Sequence, residues 1–368
     1  MTSLPPLFTP FSLRGVTFAN RIVLAPMCQY QADDGAPNDW HVAHHGRYAA
    51  SGLGGAIAEA TGVTREGRIS PGCTGIYNDD QVAAWARVTA LYRRQSIPIL
   101  LQIGHAGAKA STKRPWDGAG PLDAGSDEAP WQTIAPSAIP AREGWHVPRA
   151  LEVEEIPALV DAFAAAARRA LAAGFDGVEI HGAHGYLLHS FVSPWSNRRN
   201  DAYGGDLAGR MRLPIEVARA VRGSVPDGTP VLYRASCVDS EGGKLTLDDT
   251  VALAAELQKV GVDLMDCSGG GLPSGQRLAA QKTNPGFQVP YADRIRRKTG
   301  LPTLAVGAIT DPAHANAIVA EGRADLVAMA REFLRDPNWP YRAARELGLE
   351  DPAAILPQLY AFYLRISS

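Results

Sequence analysis

Short apolar runs alternate with longer amphipathic stretches along most of the chain, and the rhythm repeats eight times. The runs are Ile22–Ala25, Ala56–Ala60, Ile97–Ile103, Val178–Ile180, Val231–Tyr233, Leu264–Cys267, Thr303–Val306 and Leu326–Met329. Runs this short and this nearly continuous in apolar character are the pattern of parallel strands covered on both faces. The stretches between them carry helix punctuation. Ile156, Leu159, Val160, Phe163, Ala167, Ala170 and Leu171 share one helical face, and Gly174 ends it. Thr246 with Asp249 predicts a capping box opening a helix that stops at Gly261. Asp311-Pro312 and Asp336-Pro337 each predict a cap followed by proline at the first helical position, with Gly322 and Gly348 as stops. Three junctions, AAGFDGVEI, KVGVDLMDC and AEGRADLVAM, repeat the order helix, glycine, aspartate, apolar run. Stacked βα units leave such weak internal repeats.

Eight strands alternating with helices, without an obvious linker, predict an α/β fold: a (β/α)8 TIM barrel forming one domain over residues 1–368. A doubly wound open sheet is the competing architecture. It is disfavoured because no GxGxxG follows an early strand, and Gly52-Leu53-Gly54-Gly55 precedes one instead. Distinctive residues also follow nearly every run, and only a barrel brings all eight strand ends to one mouth. Residues 7–20 alternate apolar and polar around Arg14-Gly15, predicting an N-terminal β-hairpin that lids one end. Residues 107–150, rich in Pro, Gly and Asp and carrying Trp116, Trp131 and Trp145, read as an excursion over the mouth between strands three and four.

Composition narrows the setting. With 46% apolar and 20% charged residues the chain has ample material for a core, and a formal net charge of −2 gives no reason to expect nucleic acid or an anionic membrane as partner. No apolar run approaches bilayer length, and the N-terminal MTSLPPLFTPF lacks the basic and apolar regions of a signal peptide. Cys28, Cys73, Cys237 and Cys267 are far apart and form no CxxC. That suits a reduced, cytoplasmic protein and argues against a cysteine-ligated zinc or iron–sulfur site.

The densest candidate chemistry lies at the fourth strand's end. His181, His184 and Tyr186 place two imidazoles and a phenol within six residues, followed by the long polar stretch SPWSNRRNDAYGG. One histidine alone would suggest a backbone partner in a tight turn; the trio suggests a donor set. Arg234 ends the fifth strand, facing a buried anion or electron-rich ring. Gly307 and Ala330-Arg331 follow strands seven and eight, where barrels often bind phosphate through backbone N–H groups. Together these imply a phosphorylated cofactor with substrate above it.

These motifs resemble the Old Yellow Enzyme family of FMN-dependent ene-reductases, in its shorter bacterial branch with a cysteine beside the flavin. The similarity spans essentially the whole chain, through NRIVLAPMCQY (20–30), EATGVTREGRISPGCTGI (59–76), QIGHAGAKA (102–110), TIAPSAI (133–139), EIHGAHGYLLHSFVSPWSNRRNDAYGG (179–205), GVDLMDCSGG (261–270), VGAIT (306–310) and ADLVAMAREFLRDP (324–337). The resemblance implies that Ala25, Pro26, Met27 and Cys28 line FMN, with the Cys28 thiol tuning its potential. It implies that Ala60, Gln102 and Arg234 contact the pyrimidine side, and that Gly307, Ala330 and Arg331 hold the phosphate. Tyr30, His181 and His184 would grip the substrate, and Tyr186 would donate the proton. NADPH or NADH would be the reductant, and activated alkenes (α,β-unsaturated carbonyls, maleimides) and nitro compounds the substrates. A homodimer or homotetramer is implied, with Tyr363 or Arg365 entering a neighbouring site.

Three features depart from the family pattern. The phosphate pair is usually Gly-Arg and here is Ala330-Arg331, His44-His45 stands where a single histidine is usual, and the C-terminal LYAFYLRISS matches loosely. Rival readings are a metal-dependent barrel hydrolase or lyase with His181 and His184 as ligands, and a non-catalytic flavin-binding barrel. A long dienoyl-CoA reductase relative would need cluster cysteines that this chain lacks.

Overall fold

The computed structural model describes residues 4–126, 128–273 and 284–366. An antiparallel hairpin, β1 (Phe11–Leu13) and β2 (Val16–Phe18), comes first. The barrel strands follow: β3 (Ile22–Leu24), β4 (Gly55–Gly62) and β5 (Ile99–Gly104). After a short parallel pair, β6 (Ile134–Ala135) and β7 (Arg149–Ala150), come β8 (Gly177–Gly182), β9 (Val231–Ser236), β10 (Leu264–Ser268), β11 (Thr303–Val306) and β12 (Leu326–Met329). All eight predicted runs are present as strands. They pair in parallel in chain order, and β12 closes onto β3 through Val327 opposite Ile22.

Among the described residues the α-helices are α1 (Asp39–Ala49), α2 (Asp79–Arg93), α3 (Ile156–Ala172), α4 (Leu187–Val192), α5 (Leu207–Ser224), α6 (Leu247–Lys259), α7 (Val289–Thr299), α8 (Pro312–Ala320), α9 (Arg331–Arg335), α10 (Trp339–Glu346) and α11 (Gln358–Ile366), alongside short 3₁₀ turns. α3 buries the predicted face, from Ile156 through Phe163 to Ala170. The Thr246–Asp249 capping box opens α6, and Asp311 caps α8 by accepting from the His314 N–H. The start predicted at Asp336-Pro337 is shifted. Asp336 instead ends α9, and its carboxylate accepts from the Asn338 N–H, so α10 begins at Trp339 with Pro340 in its first turn.

Period-two alternation sorts the barrel interior into layers. Val23, Ile57, Leu100, Leu232, Leu264, Leu304 and Leu326 form an apolar layer with Leu13 and Phe18 of the hairpin. The hairpin therefore plugs the end of the barrel away from the mouth. Its turn is pinned by the Gly15 N–H donating to Gly228 O at 2.9 Å and by the Arg14–Asp263 ion pair. Above that layer the buried residues are polar: Glu59, Gln102, Glu179, Arg234 and Asp266.

The excursion of residues 107–150 rests on the loops around the mouth. Arg114 Nε donates to Tyr30 O at 3.1 Å, Trp116 meets Tyr30 edge to face, and Trp131 Nε1 donates to Glu66 O at 2.8 Å. No described helix is long and apolar enough to cross a membrane.

Candidate active site

β8 delivers His181 from inside the strand, and the chain then makes a sharp turn. His184 sits at φ +59° and Gly185 at φ +78°, in the left-handed region. That region costs a non-glycine residue free energy, so the turn needs outside support. The support is complete. The His184 N–H donates to Ser236 Oγ (2.8 Å), the Gly185 N–H to His189 Nδ1 (2.8 Å), and Lys109 Nζ donates to His184 O (2.5 Å). His189 is itself held through Nε2, 3.1 Å from Asp239 Oδ1. Tyr186 leads into α4 with its N–H donating to Ala183 O.

The three rings are mutually perpendicular. His181 lies 5.2 Å from His184 and 4.9 Å from Tyr186, centroid to centroid. His181 Nδ1 accepts from the Ala183 N–H at 3.2 Å, which leaves Nε2 carrying the proton. His184 Nε2 pairs with Ser268 Oγ at 2.8 Å; with the hydroxyl donating, Nδ1 carries the proton. Burial and the nearby Arg234 lower both imidazoles well below the ordinary histidine range, so both are neutral near pH 7. With the Ser268 hydroxyl donating to His184, two neutral N–H donors are available without a charged imidazolium. Backbone pairing, the blander expectation for one histidine, is also real for His181, and it is what orients the free nitrogen.

Tyr30, at φ +56°, faces the same region. Burial raises both the Tyr30 and Tyr186 phenols above their ordinary range, and Cys28 adds to each, so these side chains share one environment. Cys28 follows Ala25-Pro26-Met27 at the end of β3, and burial raises its thiol too. Ala60 emerges where a register shift interrupts β4–β5 pairing between Ala58 and Thr61. A small cavity of about 20 Å³ joins Ala60, His105, His181 and Tyr186.

A second cavity, about 400 Å³, runs from His184 and Ser268 past Gly307 to Ala330 and Arg331. It fits a phosphorylated ring-and-chain cofactor. Gly307 has φ +123°, and a Cβ there would meet Gln288 Oε1 at 2.8 Å, so glycine keeps the cradle open. The exposed guanidinium side chain of Arg331 lines the same space. Of the sequence-predicted site residues, Ala60, His181 and Tyr186 line the small cavity and His184, Gly307, Ala330 and Arg331 the second, whereas Ala25, Pro26, Met27, Cys28, Tyr30, Gln102 and Arg234 line neither. A larger cavity of about 940 Å³, between Asp34, Arg65, Arg114 and Trp131, contains none of them.

Sequence reasoning missed the two buried acids that accompany Arg234 and Gln102, Glu179 and Asp266. Arg234 Nε stands 3.1 Å from Asp266 Oδ2, and Gln102 Nε2 donates to Glu179 Oε1 at 2.7 Å. Burial raises both carboxyls above the ordinary range, while Arg234 pulls each of them down. The signal was an acid in the middle of an otherwise apolar run, Glu179 in GVEIHG and Asp266 in DLMDC. Among the described residues no three His, Cys, Asp or Glu side chains gather as a metal-binding group, so His181 and His184 have no third ligand.

The class of this closed parallel barrel, a flavin-dependent oxidoreductase, follows from its similarity to known proteins. The chain belongs to the NADH:flavin oxidoreductase / NADH oxidase family, whose model matches residues 6–350. It is 42% identical over 351 residues to an NADPH dehydrogenase of Geobacillus thermodenitrificans, covering 95% of this chain and 96% of that one. Among solved structures, morphinone reductase in complex with tetrahydroNAD superposes with a TM-score of 0.76 at 28% identity, covering 96% of each chain. The Old Yellow Enzyme homologue of Zymomonas mobilis gives 0.76 at 27% identity, over 97% of this chain and 99% of that one. The resemblance to Old Yellow Enzymes therefore stands. The chain is an FMN-dependent oxidoreductase that uses NADH or NADPH, and the metal-hydrolase reading is set aside.

Proposed function

We propose that the protein reduces activated C=C bonds of α,β-unsaturated carbonyls, maleimides and nitro compounds, in two half-reactions that share one site. The observation carrying this reading is the pair of neutral imidazole N–H donors beside a buried phenol. Bound FMN supplies a hydride store that NAD(P)H fills and the alkene empties. Ala25, Pro26, Met27, Ala60 and Gln102 would line its ring, Arg234 would hold the pyrimidine edge, and Gly307, Ala330 and Arg331 would hold the phosphate.

The side chains then have separable tasks. His181 and His184 donate to the activating oxygen, with Tyr30 beside them. Their bonds strengthen as negative charge moves onto that oxygen, which favours the transition state over the bound substrate. Tyr186, with an ordinary pKa of about 10 raised further by burial, stays protonated and gives its proton to the α-carbon. Turnover assays with NADPH and NADH across enones, maleimides and nitroalkenes test the reading. NAD(P)H oxidation without reduction of any of these alkenes would refute it.

Cys28 fits a tuning role better than a nucleophilic one, because burial disfavours its thiolate. Cys28→Ala is expected to retain FMN and to shift its midpoint potential in an equilibrium redox titration. An unchanged potential contradicts the role.

We also infer assembly into a homodimer or homotetramer through α11. Leu359, Tyr360, Phe362, Tyr363 and Ile366 all stand exposed on this one short helix. Tyr363 or Arg365, both on this helix, would reach a neighbouring site. Light scattering should give two or four chains per particle, and a monomer at micromolar concentration would exclude the inference.

A further inference from the structure

Glu59 stands in β4, one residue before Ala60, and is 1% exposed. Its two carboxylate oxygens reach different elements. Oε2 accepts from the Gln29 N–H at 2.9 Å, and Oε1 lies 3.4 Å from Nε2 of the fully buried His41 on α1. With His41 Nδ1 accepting from the Asn38 N–H at 3.0 Å, which closes the capping box of α1, Nε2 carries the proton and faces Glu59. A buried acid placed between two N–H donors is satisfied only by accepting at both oxygens.

Gln29 lies between Cys28 and Tyr30, and this segment needs anchoring. Tyr30 sits at φ +56°, a conformation that a residue other than glycine keeps only where its surroundings impose it. Toward solvent, Arg114 Nε donates to Tyr30 O at 3.1 Å, and Trp40 Nε1 donates to Gln29 Oε1 at 3.0 Å. On the buried side the anchor is Glu59. Burial raises the Cys28 thiol and the Tyr30 phenol, and Glu59 adds to both shifts, so both groups lie within its reach.

We propose that Glu59 is a positioning residue, held by His41, that sets the Cys28–Gln29–Tyr30 segment and so places the thiol against the flavin and the phenol against the substrate together. The inference rests on reading Cys28 as flavin-facing and Tyr30 as substrate-binding. Glutamine has nearly the shape of Glu59 but cannot replace it. One end of its amide accepts and the other donates, so either the Gln29 N–H or His41 Nε2–H then faces another N–H. Buried donors left without acceptors are costly, and the segment shifts to relieve them.

The test reads the segment at both of its ends. Among the four cysteines only Cys28 escapes full burial, so alkylation of the folded holoprotein by iodoacetamide reports its surroundings. Glu59→Gln should change that rate several-fold, shift the FMN midpoint potential, and raise KM for cyclohexenone about tenfold, with circular dichroism unchanged. Effects that pass through the segment should not add. In a Cys28→Ala background Glu59→Gln should give no further shift in potential, and in a Tyr30→Phe background no further rise in KM. Additive effects would show Glu59 acting as a remote charge and would overturn the proposal. His41→Phe keeps a ring against Trp85 but removes one donor, and should move the alkylation rate and KM in the same directions. It decides the matter where Glu59→Gln fails to fold. An unchanged alkylation rate and KM in either variant would overturn the proposal. If Cys28→Ala leaves the potential unmoved and Tyr30→Phe leaves KM unmoved, the reading of those two residues fails. If both move and Glu59→Gln moves neither, this proposal alone fails.

Discussion

Tyr186→Phe should slow enone reduction by roughly 10² to 10⁴, the usual worth of a positioned general acid, while leaving the NADPH half-reaction nearly untouched. The phenol follows the clamped His184–Gly185 turn and sits edge-on to His181. Burial raises its pKa, so it is fully protonated whenever substrate arrives. Phenylalanine keeps the ring and its packing but removes the proton. Nitroalkenes provide an internal control, since hydride addition gives a stabilised nitronate that can depart before carbon is protonated. Stopped-flow traces of the variant should show slow reoxidation by cyclohexenone and near-normal reoxidation by a nitroalkene. Equal slowing of both, or of the NADPH step, would mean that Tyr186 shapes the pocket without supplying the proton.

Arg234→Met should produce the largest loss of stability. The guanidinium faces Asp266 at 3.1 Å inside a barrel layer that also holds Glu179, and both acids are essentially inaccessible. Removing one partner of a buried ion pair typically costs about 3–5 kcal/mol, because the remaining charge is left uncompensated. The pH dependence has a definite sign. Arg234 pulls both carboxyl pKa values down, so in the variant these rise further above their unfolded values of about 4. The folded variant then favours the protonated acids. Its deficit relative to the parent is greatest above the raised pKa values and shrinks as pH falls toward the ordinary carboxylate range. Urea denaturation at pH 5 and pH 8 reads this directly, and Arg234→Met/Asp266→Asn should recover much of the loss. A deficit below about 1 kcal/mol that ignores pH would show that the pair contributes little.

The barrel was legible because buried parallel strands must be apolar on both faces. All eight runs stood out, and the Asp-before-strand repeats marked where units join. The helix start at Asp336-Pro337 misled because a cap and a proline also suit the end of one helix and the turn before the next. At the site, His181, His184 and Tyr186 declared themselves by spacing, and Arg234 by its place at a strand end. Their supports did not. Ser236, Ser268, His189, Asp239 and Lys109 come from separate strands and loops, and only the closed barrel brings them to one turn. Glu179 and Asp266 were visible as acids within apolar runs. Their burial beside Arg234, however, depends on which face of each strand points inward.

The central claim is that hydride and proton reach the alkene separately, the proton from solvent by way of Tyr186. It is tested most directly by reducing 2-methylcyclohexenone with NADPH in D₂O and locating the label by NMR. The account predicts protium at the β-carbon and deuterium at the α-carbon, added from opposite faces. Deuterium at the β-carbon, or addition of both atoms from one face, would contradict it.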